Sequence, residues 1–321
     1  MIHKGIDAET AKGLKVLRQR IEASKVPSSK LDESILVASW NIREFGRKKR
    51  TPKAIHYIAE VLSYFDLVSI QELRADLGDL GRVLDLLPDY WRVVFSDVTE
   101  GSRGNEERIA YLFDKRAVVF TGLAAEAVAP PMEVKKNGKK ETIPAAQFWR
   151  TPYIASFRAG TFDFVLISVH VLWGAVSADR AVELERIADW VEKRRTAKFV
   201  EDKDIILMGD FNIPKVNDRF YKAITKHGLE APKALLGVPG GSNLKRNARY
   251  DQILFYPQHT GSVFTGIGGV VDFYGGDHKP LFPGLTREKF TYQMSDHLPL
   301  WMQVKTETTD EELDQIIRGG G

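Results

Sequence analysis

Short apolar, β-rich segments that each run into a polar side chain recur along this chain, and they limit its fold more than any other feature. Three of them lead into Asn41, Glu72 and Asp210. Between such segments, apolar residues recur at helical spacing, most clearly from residue 177 to residue 195. Strand and helix patterns alternate without a separating linker, which predicts one layered α/β sandwich.

The pattern divides the chain into a helical extension at residues 1–34, a body at 35–305 and an acidic tail at 306–321. The extension contains an amphipathic helix at 6–23, ended by the proline-containing breaker at 26–29. We expect this helix to pack on the body, and docking of a partner is the alternative.

Three local patterns within the body give further expectations. Residues 109–114 and 117–121 suggest a hairpin. The lysine cluster between residues 135 and 140 suggests a solvated hairpin tip, with nucleic-acid contact as the alternative. A glycine-rich connection is expected between strands at 250–256 and 300–304.

Composition excludes several kinds of site. The 321 residues include no cysteine, so thiol catalysis, disulfides, cysteine-ligated zinc and iron–sulfur clusters are excluded. The 46 Lys+Arg nearly balance the 43 Asp+Glu, which argues against a histone-like electrostatic binder. No apolar run is long enough to span a membrane, and charges fill the N-terminus where a signal peptide would be apolar. We therefore expect a cytoplasmic protein, or a secreted one if a leader has been removed.

The polar residues at the segment ends form a chemically coherent set. Each alone has a structural explanation: residues 209–212 form a good turn sequence, and His170 in an apolar run could be a core histidine. Together, Asn41, Glu72, Asp210, Asn212 and Asp296 provide the oxygen ligands that Mg²⁺ or Mn²⁺ prefer. With two histidines beside them, such a set suggests hydrolysis of a phosphate ester.

Six motifs carry a family resemblance. They are Ser39-Trp40-Asn41-Ile42, Ile70-Gln71-Glu72, Ser168-Val169-His170, Met208-Gly209-Asp210-Phe211-Asn212, Tyr250-Asp251-Gln252-Ile253 and Ser295-Asp296-His297-Leu298-Pro299-Leu300. In this order they resemble the motif set of the endonuclease/exonuclease/phosphatase superfamily. The resemblance implies two central mixed β-sheets flanked by helices, with residues 35–305 as the catalytic domain.

Within that superfamily the chain is most similar to pancreatic-type deoxyribonucleases. Glu107 matches their histidine-orienting glutamate, Arg150 a phosphate-contacting arginine, and Arg74 an arginine directed toward the DNA groove. Asn105 stands where those enzymes carry a groove-stacking tyrosine, and their disulfide loop is absent.

The resemblance also implies a role for each site residue. Glu72, Asn41, Asp210 and Asp296 would hold Mg²⁺ or Mn²⁺, with Ca²⁺ as an optional accessory ion. His297, oriented by Asp251, would be the general base at the attacking water, and His170, oriented by Glu107, the acid or the electrostatic partner at the leaving oxygen. The sequence does not decide which histidine takes which role, and Asp210 is an alternative catalytic group. Asn212 and Arg150 would bind phosphate oxygens.

Arg74 is two residues beyond Glu72, so we expect it at the rim of the cleft, where it would reach a flanking phosphate. A solvated arginine without a partner is the alternative.

The implied function is metal-dependent hydrolysis of DNA with little sequence specificity. A phosphatase or phosphodiesterase of the same fold that acts on a soluble or lipid phosphate is the main alternative, because loops decide what is attached to the phosphate. A non-catalytic binding module would require a missing ligand or histidine, and none is missing.

Overall fold

The computed structural model describes residues 3–28, 33–100, 105–136, 138–144, 147–174, 177–237, 241–310, 313 and 317. The strands are β1 (Ser34–Phe45), β2 (Leu67–Arg74), β3 (Trp91–Phe95), β4 (Glu107–Asp114), β5 (Val119–Glu126), β6 (Met132–Lys136), β7 (Lys139–Ile143), β8 (Tyr153–Ala159), β9 (Phe162–His170), β10 (Ile205–Asp210), β11 (Asp251–Phe255), β12 (Phe264–Val270) and β13 (Leu300–Lys305). The helices are α1 (Ala8–Ala23), α2 (Pro52–Leu62), α3 (Gly78–Leu86), α4 (Ser177–Arg195), α5 (Arg219–Thr225), α6 (Lys233–Leu236), α7 (Pro257–Thr260) and α8 (Arg287–Gln293).

Two mixed sheets form the centre of the molecule, as predicted. The first has the order β12-β13-β1-β2-β4-β3, and the second has the order β11-β10-β9-β8-β5. Each sheet contains one parallel pair, β1 with β2 and β9 with β10, and antiparallel neighbours elsewhere. The strands of each parallel pair are joined through a helix, α2 in the first sheet and α4 in the second.

The second sheet lies between two cores, and successive apolar residues of its strands point alternately into one core and the other. On β9, Phe162, Phe164 and Leu166 belong to the core shared with the first sheet. The intervening Val165, Ile167 and Val169 pack with α4 in a second core. Because successive side chains of a strand point to opposite faces, an apolar run without alternation is required when both faces are buried.

A buried polar contact joins the two sheets directly behind the ends of their parallel strands. Ser69 on β2 donates from Oγ to Ser168 Oγ on β9 at 2.6 Å, and Gln71 Nε2 donates to the same Ser168 atom at 3.0 Å. All three side chains have no exposed surface. A satisfied buried network of this kind fixes the position of one sheet relative to the other.

The N-terminal helix packs on the body, as expected. Leu14, Leu17 and Ile21 of α1 are buried, and Arg18 forms an ion pair of 2.7 Å with Glu60 of α2. Ser29 of the breaker and most of the acidic tail lie outside the described residues. Within the part of the chain that is described, no helix is long and apolar enough to cross a membrane.

Two expectations about local structure were wrong or incomplete. Residues 109–121 do not form a hairpin, because β4 pairs in the first sheet and β5 in the second. Ala117 and Val118 in the connecting turn are buried in the core between the sheets, so the chain crosses from one sheet to the other there. The glycine-rich connection contains the edge strand β12, whose backbone pairs with β13 without needing bulky side chains.

The lysine cluster does form a hairpin. β6 pairs with β7, and the lysines at 135, 136, 139 and 140 are exposed on it. Asn137 at its tip lies outside the described residues.

Candidate active site

The carboxyl ends of the parallel strands meet at one edge of the sandwich. Asp210 at the end of β10 is in register with His170 at the end of β9 and with Asp251 at the start of β11. Asn41 in β1 faces Asp210 from the first sheet. The polar residues that the sequence places at separate strand ends are therefore brought together.

Irregular backbone directs these side chains into the site. Glu72 has a positive φ of 62°, and the pairing of β2 with β4 shifts its register between Ile70 and Leu73. Asn212 also has a positive φ, 53°. Such conformations are costly for residues other than glycine, and they concentrate at functional sites.

Gly209 allows β9 and β10 to approach closely beside the site. Its φ is 132°, and a Cβ atom added there would lie 2.0 Å from the carbonyl oxygen of Val169. Only glycine fits between these strands at this point, which explains the glycine in the motif ahead of Asp210.

One group of oxygen and amide atoms at the centre of the site fits a hard cation. Asn41 Nδ2 donates to Glu72 Oε1 at 3.1 Å and to Asp210 Oδ2 at 3.0 Å, so the two carboxylates converge on one amide. Among the residues that the structure describes, none is hydrogen-bonded to the buried Asn41 Oδ1. Two converging carboxylates and an unpartnered amide oxygen are the donor types that Mg²⁺ and Mn²⁺ prefer.

Two histidines flank Asp210, and each is backed by a carboxylate. His170 Nε2 and His297 Nε2 lie 3.6 and 3.8 Å from the same Asp210 Oδ2 atom. On the far side of the rings, His170 Nδ1 lies 2.7 Å from Glu107 Oε2, and His297 Nδ1 is hydrogen-bonded to Asp251 Oδ2 at 2.8 Å. Asp210, Asp251 and His297 each offer an atom within 4.8 Å of the others, so this cluster overlaps the candidate cation site.

The charges at these pairs follow from their surroundings. Burial raises the pKa of Glu107, but His170, Arg150 and Arg74 outweigh it and lower the pKa to about 2. Burial would lower the pKa of His297, yet Asp251 and Asp210 raise it well above its usual value. Burial also raises the pKa of Asp251, although His297 opposes this effect.

The phosphate-binding candidates lie around this centre. Arg150 Nε is 3.2 Å from Glu107 Oε2, and Asn212 is held by a hydrogen bond from its Nδ2 atom to the Val171 carbonyl, 2.7 Å. The side chain of Asp296 is 45% exposed, and its carboxylate lies 3.9 Å from Arg43. Asp296 is thus at the mouth of the site, outside the Asn41–Glu72–Asp210 group, and its metal role stays a prediction.

Arg74 is largely buried, so the alternative of a solvated arginine without a partner was wrong, and its place at the rim of the cleft stays a prediction. Its side chain is 7% exposed and lies 3.5 Å from both Glu44 Oε1 and Glu107 Oε1, and it donates to the carbonyl of Asn105. The two carboxylates come from β1 and β4, and they draw the guanidinium inward. Arg74 is therefore in position to hold Glu107, which in turn contacts His170.

Several residues that support the site were not singled out from the sequence. Ser295 Oγ donates to the Asn41 carbonyl at 2.6 Å and accepts from His297 N at 3.0 Å, so it links two motifs. The backbone N–H of Glu44 donates to Glu72 Oε2 at 2.7 Å. Because Ser295 begins the last motif, its role could have been inferred from the sequence. The Glu44 contact is made by a backbone N–H, so no residue type in the sequence indicates it.

Comparison with known proteins finds deoxyribonucleases among the relatives of this chain. The chain is 27% identical over 291 residues to a deoxyribonuclease of Thioalkalivibrio sp. (strain K90mix). The aligned region covers 86% of this chain and 72% of that protein. It is also 27% identical over 188 residues to Deoxyribonuclease-1 of Equus caballus, covering 56% of this chain and 61% of that one.

Solved structures share the fold. A functionally unknown conserved protein from Enterococcus faecalis V583 aligns with a TM-score of 0.58 at 16% identity, over 85% of this chain and 100% of that one. A mannosyl-6-phosphatase from Bacteroides thetaiotaomicron VPI-5482 aligns with a TM-score of 0.53 at 17% identity, over 84% and 99%. Residues 38–297, which contain all the catalytic candidates, match the Endonuclease/Exonuclease/phosphatase family, and the chain belongs to that family.

Proposed function

We propose that this protein is a metal-dependent phosphodiesterase that hydrolyses DNA with little sequence specificity. The observation that carries the proposal is the pair of histidines on either side of Asp210, each backed by its own carboxylate. In-line hydrolysis of a phosphodiester needs a proton acceptor at the attacking water and a proton donor at the opposite, leaving oxygen. Two imidazoles that face one carboxylate, one from the end of β9 and one from the segment before β13, can supply both.

The backing carboxylates prepare the imidazoles for these roles. A carboxylate at Nδ1 accepts the Nδ1 proton, so Nε2 faces the substrate. An unprotonated Nε2 can take a proton as a base, and the imidazolium form, which the carboxylate stabilises, can give its Nε2 proton as an acid. We assign His297, held by Asp251, as the general base at the water, and His170, held by Glu107, as the acid at the leaving oxygen. The negative charge of Asp210 helps to raise the pKa of His297. Because Asp210 is also a proposed cation ligand, this contribution applies when no cation is bound.

Glu72, Asp210 and the amide of Asn41 would hold a Mg²⁺ or Mn²⁺ ion, and Asp296, at the mouth of the site, would support the same ion or a second one. When bound, such a cation neutralises charge that develops on the phosphate oxygens. Arg150 and Asn212 would bind the non-bridging phosphate oxygens beside it. Arg74 supports the same site through Glu107 rather than by reaching a distant phosphate.

The choice of DNA over a small phosphate is supported by the deoxyribonucleases among the relatives. The phosphatase alternative is compatible with the fold, which a mannosyl-6-phosphatase shares at 17% identity. The same catalytic groups serve both reactions, so the substrate must be tested directly.

The test is a panel of substrates offered to the same preparation with Mg²⁺ or Mn²⁺: supercoiled plasmid, a single-stranded oligonucleotide, RNA and mannose 6-phosphate. An Asp210→Ala preparation, purified identically, controls for contaminating nucleases. We expect the wild-type protein to cleave the DNA substrates and the variant to leave them intact. Release of inorganic phosphate from mannose 6-phosphate without cleavage of nucleic acid would replace this proposal with the phosphatase alternative.

A further inference from the structure

An exposed tryptophan stands at the edge of the candidate active site. Trp173 follows the catalytic candidate His170 by three residues, and half of its surface (50%) is exposed. None of the proposed catalytic steps uses this ring. Ligand sites are lined largely by hydrophobic and aromatic side chains, and aromatic rings beside nucleic-acid sites serve as surfaces on which bases stack.

The ring is exposed but firmly held. Arg180 of α4, which is 4% exposed, donates from Nε and Nη2 to the Trp173 carbonyl at 3.1 and 2.7 Å. Its Nη1 atom donates to the carbonyl of Asn212 at 2.7 Å, and its guanidinium carbon lies 4.1 Å from the centre of the Trp173 ring. A ligand that stacks on a ring fixed in this way loses little affinity to ordering the protein.

A chain of ring contacts connects Trp173 to the catalytic centre. The Trp173 and Tyr250 rings meet edge to face with their centres 5.5 Å apart. The Tyr250 ring lies 5.9 Å from the His297 imidazole. Trp173 is therefore two ring contacts away from a group proposed to act at the scissile phosphate.

We propose that Trp173 is a stacking platform for a nucleobase next to the scissile phosphate, so that the protein favours DNA with unstacked bases, such as single strands. This inference rests on the proposed nuclease function and extends it to the form of the substrate. A base inside a duplex already has both faces covered by its neighbours, whereas a base in a single strand can offer one face to the indole. Stacking is tolerant of sequence, because every base has a π-face, and a sugar phosphate has none.

The test measures binding without turnover. Fluorescein-labelled oligothymidylate and an abasic oligomer of equal length are titrated with protein in EDTA, and anisotropy gives the Kd of each. Trp173→Ala should weaken binding of oligothymidylate by about tenfold to a hundredfold and leave the abasic oligomer nearly unchanged. Trp173→Phe should recover most of the loss, because it restores an aromatic face. Phe199→Ala, which removes a ring that is 88% exposed beyond the far end of α4, is the matched control and should bind like the wild type.

Unchanged binding of both oligomers by Trp173→Ala would overturn the platform, and so would an equal loss on both. Cleavage is then measured separately with Mn²⁺, on single-stranded and duplex DNA. A larger loss for Trp173→Ala on the single strand supports the stated preference, whereas an equal loss on both forms contradicts it. Base-dependent binding without cleavage of any nucleic acid would refute the nuclease proposal and leave the platform standing.

Discussion

At the scale of single residues, Asp210 is the side chain on which the site converges. Its Oδ2 atom accepts from Asn41 Nδ2 and faces both imidazoles, while its Oδ1 atom accepts from Asn212 N at 2.8 Å. One carboxylate therefore touches the candidate cation group, both proton-transfer candidates and a phosphate-binding candidate. Residues from both sheets therefore meet at Asp210.

Substitution of either histidine should lower activity without unfolding the protein. General acid–base groups contribute about 10²–10⁴-fold, so His170→Ala and His297→Ala should each lower kcat on DNA by that order. Asp251→Asn should lose somewhat less, since the imidazole remains but its orientation is less firmly held. Initial rates on plasmid DNA measure the effect, and thermal unfolding confirms the fold. Near-normal turnover in either alanine variant would make that histidine structural.

Arg74 gives a prediction that differs from the one its sequence position favours. Because its guanidinium lies between Glu44 and Glu107, Arg74→Ala should impair the site itself and slow cleavage of duplex DNA and of a small phosphodiester alike. Arg47→Ala is the control, since Arg47 is 59% exposed and pairs with Glu44 alone among the described acidic residues. The contradicting result is a loss confined to the duplex, together with a slope of log affinity against log salt concentration that is smaller by about one. That result would show that Arg74 binds a flanking phosphate.

The site could be predicted from the sequence only where a residue belongs to a motif. Asp251 and His297 are 46 positions apart, yet each lies in a recognisable motif, and the two are hydrogen-bonded. Arg180 carries no such signal, because its contacts with Trp173 and Asn212 depend on the paths of two loops. Burial of Arg74 likewise depends on carboxylates about 30 positions away on either side, which local sequence does not reveal.

At the scale of elements, α4 is the helix that supports the site from outside. Arg180 and Glu183 are three positions apart and lie on the same side of the helix. Arg180 holds the loop after β9, and Glu183 Oε1 accepts from the backbone N–H of Trp149, next to Arg150, at 3.2 Å. One helical face thus fixes two segments that carry functional candidates.

Glu183 should make stability depend on pH. Burial raises its pKa to about 7, although the N–H groups of Trp149 and Leu172 and the charges of Arg150 and Arg186 oppose this. In the unfolded chain the carboxyl ionises near its ordinary pKa of 4.5. Between these values the folded state holds a proton that the unfolded state has lost. The free energy of unfolding should therefore fall as pH rises from 5 to 7, by up to about 1.4 kcal/mol per pH unit.

Glu183→Gln removes this titration and keeps an acceptor for the Trp149 N–H. Denaturant unfolding at pH 5, 6, 7 and 8 should show the variant gaining stability relative to the wild type as pH rises. Glu185→Gln, on the exposed side of the same helix, should show no such trend. A constant difference between Glu183→Gln and the wild type across this range would contradict a protonated Glu183.

The pairing of elements was harder to predict than their positions. The pattern at 177–195 matches α4 residue for residue. The error at β4 and β5 arose because a short turn between two strand patterns normally indicates a hairpin. Whether the chain reverses or crosses to a second sheet depends on what covers Ala117 and Val118, and that is decided by residues distant in sequence.

At the scale of the whole molecule, two sheets of similar design bring their parallel pairs face to face. The first sheet contributes Asn41 and Glu72, and the second contributes His170 and Asp210. The buried contact between Ser69 and Ser168 joins the sheets just behind these residues. The layered architecture could be predicted from the alternation of strand and helix patterns, but the contacts between the layers could not, since they join residues about 100 positions apart.

The most direct test of this account is whether cleavage of DNA depends on a divalent cation held at Glu72 and Asp210. Cleavage of supercoiled plasmid by the wild-type protein should stop in EDTA and return when Mg²⁺ or Mn²⁺ is added in excess. Glu72→Ala should cleave almost nothing under any of these conditions, while its thermal unfolding shows that it remains folded. Full activity of the wild type in EDTA, or substantial activity of a folded Glu72→Ala variant, would contradict the mechanism.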